Sequence, residues 1–349
     1  MTTPATETPN ESFLEPSNAQ SGSQPLTGLQ IEQWHTKGFA LIDGLIPHDL
    51  LNNLLAEAKE LFPGIGSKEA AQITDFGEGM VFPSSSVSLN DLTLHPRLLM
   101  ASAQLLDVPV TSLRLTQSDL WAKYGTGHEH DAYNNQDQRI HMDYPNHTLT
   151  HPPKWDAPEA VEIIVYLSGQ AEAGGSTAVV PRAGSDDEAY LPPLVHSPGI
   201  GDIPWINDRS QAESWFLRNK PEVAKLRNSL YRREKYTKHK KGSVLFYRHD
   251  VWHRGTPLHR DTVRFAQNLT FRKAEASWIS NLHPGWAWAM YKPDLRMERL
   301  IAQSTIEQRA VLGFPPPGDP YWDHETVSYV EARYESLGFD GLPYREALP

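Results

Sequence analysis

The sequence predicts a mainly β protein, an antiparallel sandwich or barrel with flanking helices, and three observations carry that prediction. Apolar residues alternate along five segments, Leu113 to Tyr124, Val161 to Leu167, Thr177 to Val180, Ser243 to Tyr247 and Thr262 to Arg272. A period near two marks strands with one buried face. The segments are separated by Gly, Pro and Asp clusters, whereas a doubly wound parallel sheet would need regular crossover helices. Helical spacing is concentrated before and after this region.

Residues 1 to 26 are rich in Thr, Ser, Pro, Glu, Asn and Gln. With few apolar anchors they cannot offset their ordering entropy, which predicts a disordered tail. From Leu26 onward, Ile31 and Trp34, then Phe39, Leu41 and Ile42, suggest a short helix leading into a strand. Leu50, Leu51, Leu54, Leu55, Ala58 and Phe62 fall on one stripe of an amphipathic helix. Residues 91 to 107 read as another helix, and the charged stretch 210 to 236 as a helical insertion between barrel strands. Helical texture returns after about residue 275, including Thr305 to Leu312 and Glu325 to Leu337. The expected organisation is a tail over 1–26, a β domain with N-terminal helices over 27–275, and a helical extension over 276–349 that packs on the core.

The chain has 349 residues, enough for a large core, and no cysteine. It therefore has no disulfide, no thiol nucleophile and no Cys-ligated zinc, and any metal must be held by His, Asp and Glu. Its formal net charge of -11 disfavours nucleic acid as a partner yet permits a local basic pocket for a small anion. The N-terminus lacks a signal-peptide pattern, and no apolar run approaches the roughly 20 residues a bilayer span needs. The expectation is a cytoplasmic protein with a small-molecule substrate, monomeric or homodimeric, without nucleic-acid or membrane partners.

Within Arg139-Ile140-His141-Met142-Asp143, extended backbone places His141 and Asp143 on one side, able to offer a nitrogen and an oxygen to one ion. Taken alone, the pair reads more readily as a surface feature. An apolar strand ending at Tyr247 is followed by a short loop and Val251-Trp252-His253-Arg254-Gly255. Two His and one carboxylate form the facial triad of non-haem Fe(II) oxygenases, which leaves open coordination positions. Eleven residues after His253 comes Arg264. Its strand puts Val263, Phe265, Leu269 and Phe271 on one face and Arg264, Ala266, Asn268 and Thr270 on the other. An Arg on a small, polar face suits a wet cavity in which it clamps a carboxylate; an exposed edge strand is the alternative.

The order of these motifs, with Gly174-Gly175-Ser176-Thr177 leading to Val180-Pro181 between them, resembles the phytanoyl-CoA dioxygenase family over roughly residues 28 to 272. The resemblance implies a double-stranded β-helix (a jelly-roll, cupin-like core) and an Fe(II)- and 2-oxoglutarate-dependent dioxygenase. Such an enzyme consumes O2, releases succinate and CO2, and oxidises a C–H bond of its substrate. It implies His141, Asp143 and His253 as iron ligands and Arg264 as the anchor of the distal 2-oxoglutarate carboxylate. Because related halogenases lack the carboxylate ligand, Asp143 points to hydroxylation. Two departures stand out. Family members often have a small hydroxyl residue two positions after the distal His, where this chain has Gly255 followed by Thr256, and Pro181-Arg182-Ala183-Gly184 replaces the usual Pro-Gly-Ser-His.

Thr177, Thr256 and Lys123 are further candidates for the cosubstrate pocket. Gln117, Trp121 and Lys123 share one strand face, which is either pocket wall or ordinary packing; Thr177 and Tyr166 are equally open to a structural role. His128 and His130 could serve a cupin-type metal site but sit in a Gly- and Asn-rich stretch that reads as a loop, as do His147 and His151. Lys235, Lys238, Lys240 and Lys241 read as a solvated face. The C-terminal aromatics Trp286, Trp288, Tyr291, Tyr321 and Trp322 read as packing or dimer surface. No residue is assigned to the substrate. The rival readings are a catalytically silent β-helix binding protein and a cupin-type metalloenzyme.

Overall fold

Two sheets stacked face to face carry the molecule, because the strand sequences alternate between a face suited to helices and a face suited to the opposite sheet. The computed structural model describes residues 13–73, 79–125, 137–143, 157–190, 208–276, 296–320 and 322–349. The strands are β1 (Phe13–Leu14), β2 (Ser17–Asn18), β3 (Phe39–Asp43), β4 (Met80–Val81), β5 (Leu113–Tyr124), β6 (Ala160–Tyr166), β7 (Thr177–Val179), β8 (Lys235–Thr237), β9 (Val244–Tyr247), β10 (His253–Gly255) and β11 (Val263–Lys273). The larger sheet runs β2-β3-β9-β6-β11-β5-β4 and the smaller β1-β8-β7-β10. Antiparallel pairing dominates; β1 with β8 and β2 with β3 are parallel. This is the double-stranded β-helix.

On β11, Phe265, Leu269 and Phe271 point away from the smaller sheet and join a core with Leu98, Leu99, Leu105 and Leu106 of helix Pro96–Leu106. The same core takes in Val311, Tyr334 and Tyr344 from the C-terminal helices and Trp322 from the loop between two of them. Each fully buried side chain of this size contributes about 1.5–3 kcal/mol, so the helical layer contributes strongly to holding the larger sheet. The alternate residues face inward. Phe39, Leu41, Tyr166, Leu245, Tyr247 and Ala266 meet Val179 and Val251 between the sheets. Register lines the concave face in rows: Phe39, Tyr247, Glu162, Thr270 and Gln117, then Leu41, Leu245, Ile164, Asn268 and Asp119. Arg264 sits opposite Lys123 at the far end.

The five expected strands are present with ends shifted by at most one residue. Three expectations are corrected. Residues 13–26 form no tail: β1 and β2 pair through backbone bonds, Gln30 Nε2 donates to Ser17 Oγ at 2.8 Å and to the Asn18 carbonyl at 3.0 Å, and Leu26 is buried. Backbone pairing needs no apolar composition, so composition does not reveal it. The helix expected over 91–107 is two, Val87–Thr93 and Pro96–Leu106, because Pro96 has no N–H to continue a helix but suits a first turn. The insertion over 210–236 comprises Arg209–Asn219 and Pro221–Tyr231, then β8. Among the described residues no helix is long and apolar enough to cross a membrane.

Candidate metal centre

His141 and His253 face each other across an antiparallel bridge in which each backbone N–H donates to the other's carbonyl at 2.9 Å. Alternation then does the aiming. Ile140, Met142 and Trp252 turn outward into a small apolar cluster with Val180, Tyr190 and Leu230, and the two imidazoles turn inward. Asp143 Oδ1 lies 3.7 Å from His141 Nε2, and its Oδ2 lies 3.4 Å from His253 Nε2. One ligand atom from each of the three residues falls within 4.8 Å of the others. It is the only such group of three or more His, Asp or Glu among the described residues.

The protonation states suit a cation. His141 Nδ1 lies 3.0 Å from the Arg139 carbonyl, and His253 Nδ1 lies 3.0 Å from that of Val251. A carbonyl only accepts, so both Nδ1 atoms carry hydrogen and both Nε2 lone pairs point into the triad. Burial, followed by the neighbouring His253 and Arg139, holds His141 well below the ordinary histidine range, so it is a neutral ligand near neutral pH. The Asp143 carboxylate is held by Tyr247, whose hydroxyl donates to Oδ2 at 2.7 Å. Burial and the adjacent Asp143 push the Tyr247 phenol up, keeping it a donor.

The insertion braces this segment. Arg227, fully buried, donates from Nη2 to the Ile140 carbonyl at 2.8 Å, and its Nε meets both carboxylate oxygens of Glu213 at 3.0 Å. Tyr231 Oη accepts from the Ile140 N–H at 3.0 Å and donates to Glu213 Oε1 at 2.7 Å. Both backbone groups preceding His141 are thereby fixed.

At the far end of the concave face, buried Arg264 donates from Nη1 to the Gly175 carbonyl, while its Nε is buried without a partner among the described residues. Gly174 and Gly175 have φ of 70° and 63°, in the region that favours glycine. A Cβ on Gly175 would stand 2.4 Å from Leu258 Cδ2 and 3.3 Å from Arg264 Cδ, so the Gly-Gly pair lets the chain close over the guanidinium. Tyr166 donates to Thr177 Oγ1 at 2.7 Å, and the Thr177 N–H donates to Thr237 Oγ1 at 3.0 Å.

The structure thus brings His141, Asp143 and His253 together and puts Arg264, Lys123 and Thr177 on inner surfaces. Arg264 occupies the inner face and not an exposed edge. Lys123 is buried directly across from it. Thr256 differs: its Oγ1 donates to the Ser176 carbonyl at 2.9 Å. At Gly255, a Cβ would lie 2.8 Å from Gln138 Oε1, which accepts the Gly255 N–H at 2.7 Å. Gln138 therefore occupies the space a hydroxyl side chain would use. His128, His130, His147, His151, Trp286, Trp288, Tyr291 and Tyr321 lie outside the described residues. Trp322 is buried in the C-terminal core.

Sequence reasoning missed Tyr247, although period two from Leu245 places it inward. It also missed a buried pair beside it: Glu162 Oε1 lies 2.6 Å from His249 Nδ1, and Thr270 donates to Glu162. Burial pulls His249 down, but Glu162 outweighs it and holds the imidazole above its ordinary range. Burial pushes the Asp119 carboxyl up to about 6, against hydrogen bonds from Gln117 and Trp121.

Fold and site together define a double-stranded β-helix protein with two His and one carboxylate on its inner wall. No family model matches the chain, and no curated protein matches it. Among solved structures, it is similar to SnoK, a non-heme alpha ketoglutarate dependent carbocyclase from nogalamycin biosynthesis. The TM-score is 0.50 with 14% identity, over 76% of this chain and 91% of that one. Two more are EvdO2 from Micromonospora carbonacea var. aurantiaca complexed with 2-oxoglutarate (TM-score 0.49, 12% identity, 73% and 97% covered) and EctD from S. alaskensis in its apoform (0.48, 16%, 75% and 83%). The likeness to the carbocyclase establishes the fold.

Proposed function

We propose that this chain is an Fe(II)- and 2-oxoglutarate-dependent oxygenase of the phytanoyl-CoA dioxygenase type that oxidises a C–H bond of a small organic substrate. The observation that carries the reading is the convergence of the His141 and His253 Nε2 atoms on the Asp143 carboxylate, with Arg264 at the far end of the same hollow. Two imidazoles bound through Nε2 and one carboxylate would leave a net positive charge on a bound divalent cation and occupy one face of an octahedron. The chemistry such a group supplies, with O2 consumed and succinate and CO2 released, belongs to the metal and cosubstrate.

The chain's own residues position and protect. Tyr247 holds Asp143 in one rotamer, and the Nδ1 bonds hold both rings. The Arg264 Nε, without a partner among the described residues, is a charge-assisted donor suited to a carboxylate. Buried Lys123 lies directly across from it, and the two basic residues make this end of the hollow suited to an anion. Thr177 and Tyr166 close the wall between the sheets. Thr256 keeps a lone pair available as an acceptor, but its proton is committed to Ser176.

The substrate would enter over Gln117, Trp121, Ile164 and Asn268, inward-facing residues that stay partly exposed between buried neighbours. Asp143, present and held, favours hydroxylation. The oxygenase unit is taken as residues 27–275 together with the β1–β2 segment paired to its sheets, with the C-terminal helices as its extension. Succinate formation from 2-oxoglutarate in the presence of Fe(II) and air tests the reading. Wild-type protein should produce it and Asp143→Ala should not. A silent binding protein would produce none in either case.

A further inference from the structure

His253 is aimed by a turn that the rest of the molecule grips from outside. Between β9 and β10, the Val251 N–H donates to the Arg248 carbonyl at 3.1 Å, closing a four-residue turn. The Val251 carbonyl in turn accepts from His253 Nδ1 at 3.0 Å. The acceptor of its second nitrogen orients a metal-binding imidazole, so whatever fixes this turn also fixes His253 Nε2.

Asp250 anchors the turn. Arg248 Nε and Nη2 donate to its two carboxylate oxygens at 2.8 Å each, and Arg182 Nη1 donates to Oδ2 at 2.9 Å. The Asp250 side chain is 5% exposed. Arg182 comes from the loop after β7, where its guanidinium lies 5.0 Å from the centre of the Tyr190 ring. Its backbone N–H donates to the Lys37 carbonyl at 3.2 Å. Arg248 reaches the same helix end, its N–H donating to the Gly38 carbonyl at 2.9 Å and its Nη1 to the His35 carbonyl at 3.3 Å. Helix Gly28–Lys37 stops there, and cations are favoured at a helix C-terminus. Gly38, with φ 93°, lacks the Cβ that would stand 2.4 Å from Val251 Cγ2. The helix end, the β7 loop and the turn therefore meet at one carboxylate, and Arg182 is the link from the β7 loop.

We propose that Arg182 is a positioning residue for His253, acting through Asp250 and the Val251 carbonyl; the proposal rests on the reading of His141, Asp143 and His253 as metal ligands. Arg182 lies in the Pro181-Arg182-Ala183-Gly184 segment that stands where Pro-Gly-Ser-His is usual. The departure gives this chain a guanidinium that ties the β7 loop to the turn carrying the distal ligand.

The test uses the second imidazole as an internal control. Zn(II) is titrated into the wild type and Arg182→Ala, and the Nδ1 proton resonances of His141 and His253 are followed by NMR. Asp250 keeps both bonds from Arg248 in the variant, so no buried charge is stranded and the chain should fold. Zn(II) affinity should fall roughly ten-fold, the lower end of what loss of an outer partner of a metal ligand costs. The His253 Nδ1 proton should shift and exchange faster with solvent. The His141 Nδ1 proton, held by the Arg139 carbonyl on another segment, should keep its position and rate. Arg182→Lys, which keeps a cation and a donor for Asp250, should recover part of the affinity and slow the His253 exchange again. An unchanged His253 resonance and exchange rate would overturn the proposal. So would equal changes at His141 and His253, which a general loosening of the fold produces. Should Arg182→Ala not fold, Arg182→Gln, with a neutral donor, carries the same comparison. A wild-type chain whose two imidazoles do not respond to Zn(II) would overturn the metal-ligand reading itself, a failure distinct from the other two.

Discussion

The Tyr247 hydroxyl donates to Asp143 Oδ2 at 2.7 Å, joining two residues from different segments into one unit that presents a carboxylate to two imidazoles. In this geometry the phenol restricts the carboxylate to one orientation and occupies one of its lone pairs. Tyr247→Phe should leave the fold intact and weaken Fe(II) binding about ten- to hundred-fold, the usual effect of removing a partner of a metal ligand. Equilibrium Fe(II) titration under anaerobic conditions measures it, and an unchanged affinity would show that Asp143 is held by other means.

The insertion helices should matter for metal binding although they supply no ligand. Arg227 is fully buried between Glu213 and the Ile140 carbonyl. Arg227→Met strands that carboxylate and carbonyl, which should cost about 3 kcal/mol or more. It should also loosen the segment carrying His141 and Asp143. Denaturant unfolding together with Fe(II) titration checks both. A destabilised variant with wild-type metal affinity would mean the brace serves stability only.

Gly175 controls the opposite end. In Gly175→Ala the new methyl meets Leu258 and Arg264 at a φ of 63°, and the strain should cost roughly 1–3 kcal/mol. Displacement of the guanidinium should raise the 2-oxoglutarate KM several-fold while leaving Fe(II) affinity untouched. Steady-state kinetics with varied 2-oxoglutarate, beside the metal titration, separates the two effects.

His239 also sets a pH dependence. Burial, followed by the charge of Arg264, pushes its pKa down to about 3 from 6.5. Between those values the unfolded chain takes up a proton that the native protein does not. The contribution is therefore fully present above the unfolded pKa and lost as pH falls through this window. Going from about pH 7 to about pH 5, wild type should lose on the order of 2 kcal/mol more stability than His239→Gln. Urea midpoints of both proteins at the two pH values give the difference, and parallel losses would contradict it.

Much of this was legible in the sequence because alternation is a local property. The ends of β5 and the two faces of β11 follow from period two, and so does the inward aim of Arg264. The candidate metal ligands were legible as spacing, His141 with Asp143 and His253 eleven residues before Arg264. The contacts that hold them were not. Tyr247 and Asp143 are 104 residues apart, and nothing near either signals the other. The lysine run concealed His239, since composition reports a segment's average and this loop turns one residue inward. β1 and β2 escaped for a related reason: two-residue backbone pairings leave no apolar pattern.

The most direct test is anaerobic addition of Fe(II) and 2-oxoglutarate to the wild-type chain and to His141→Ala and His253→Ala. The account predicts a weak visible charge-transfer band in the wild type that both substitutions abolish. A band that survives in either variant, or none in the wild type, would contradict it.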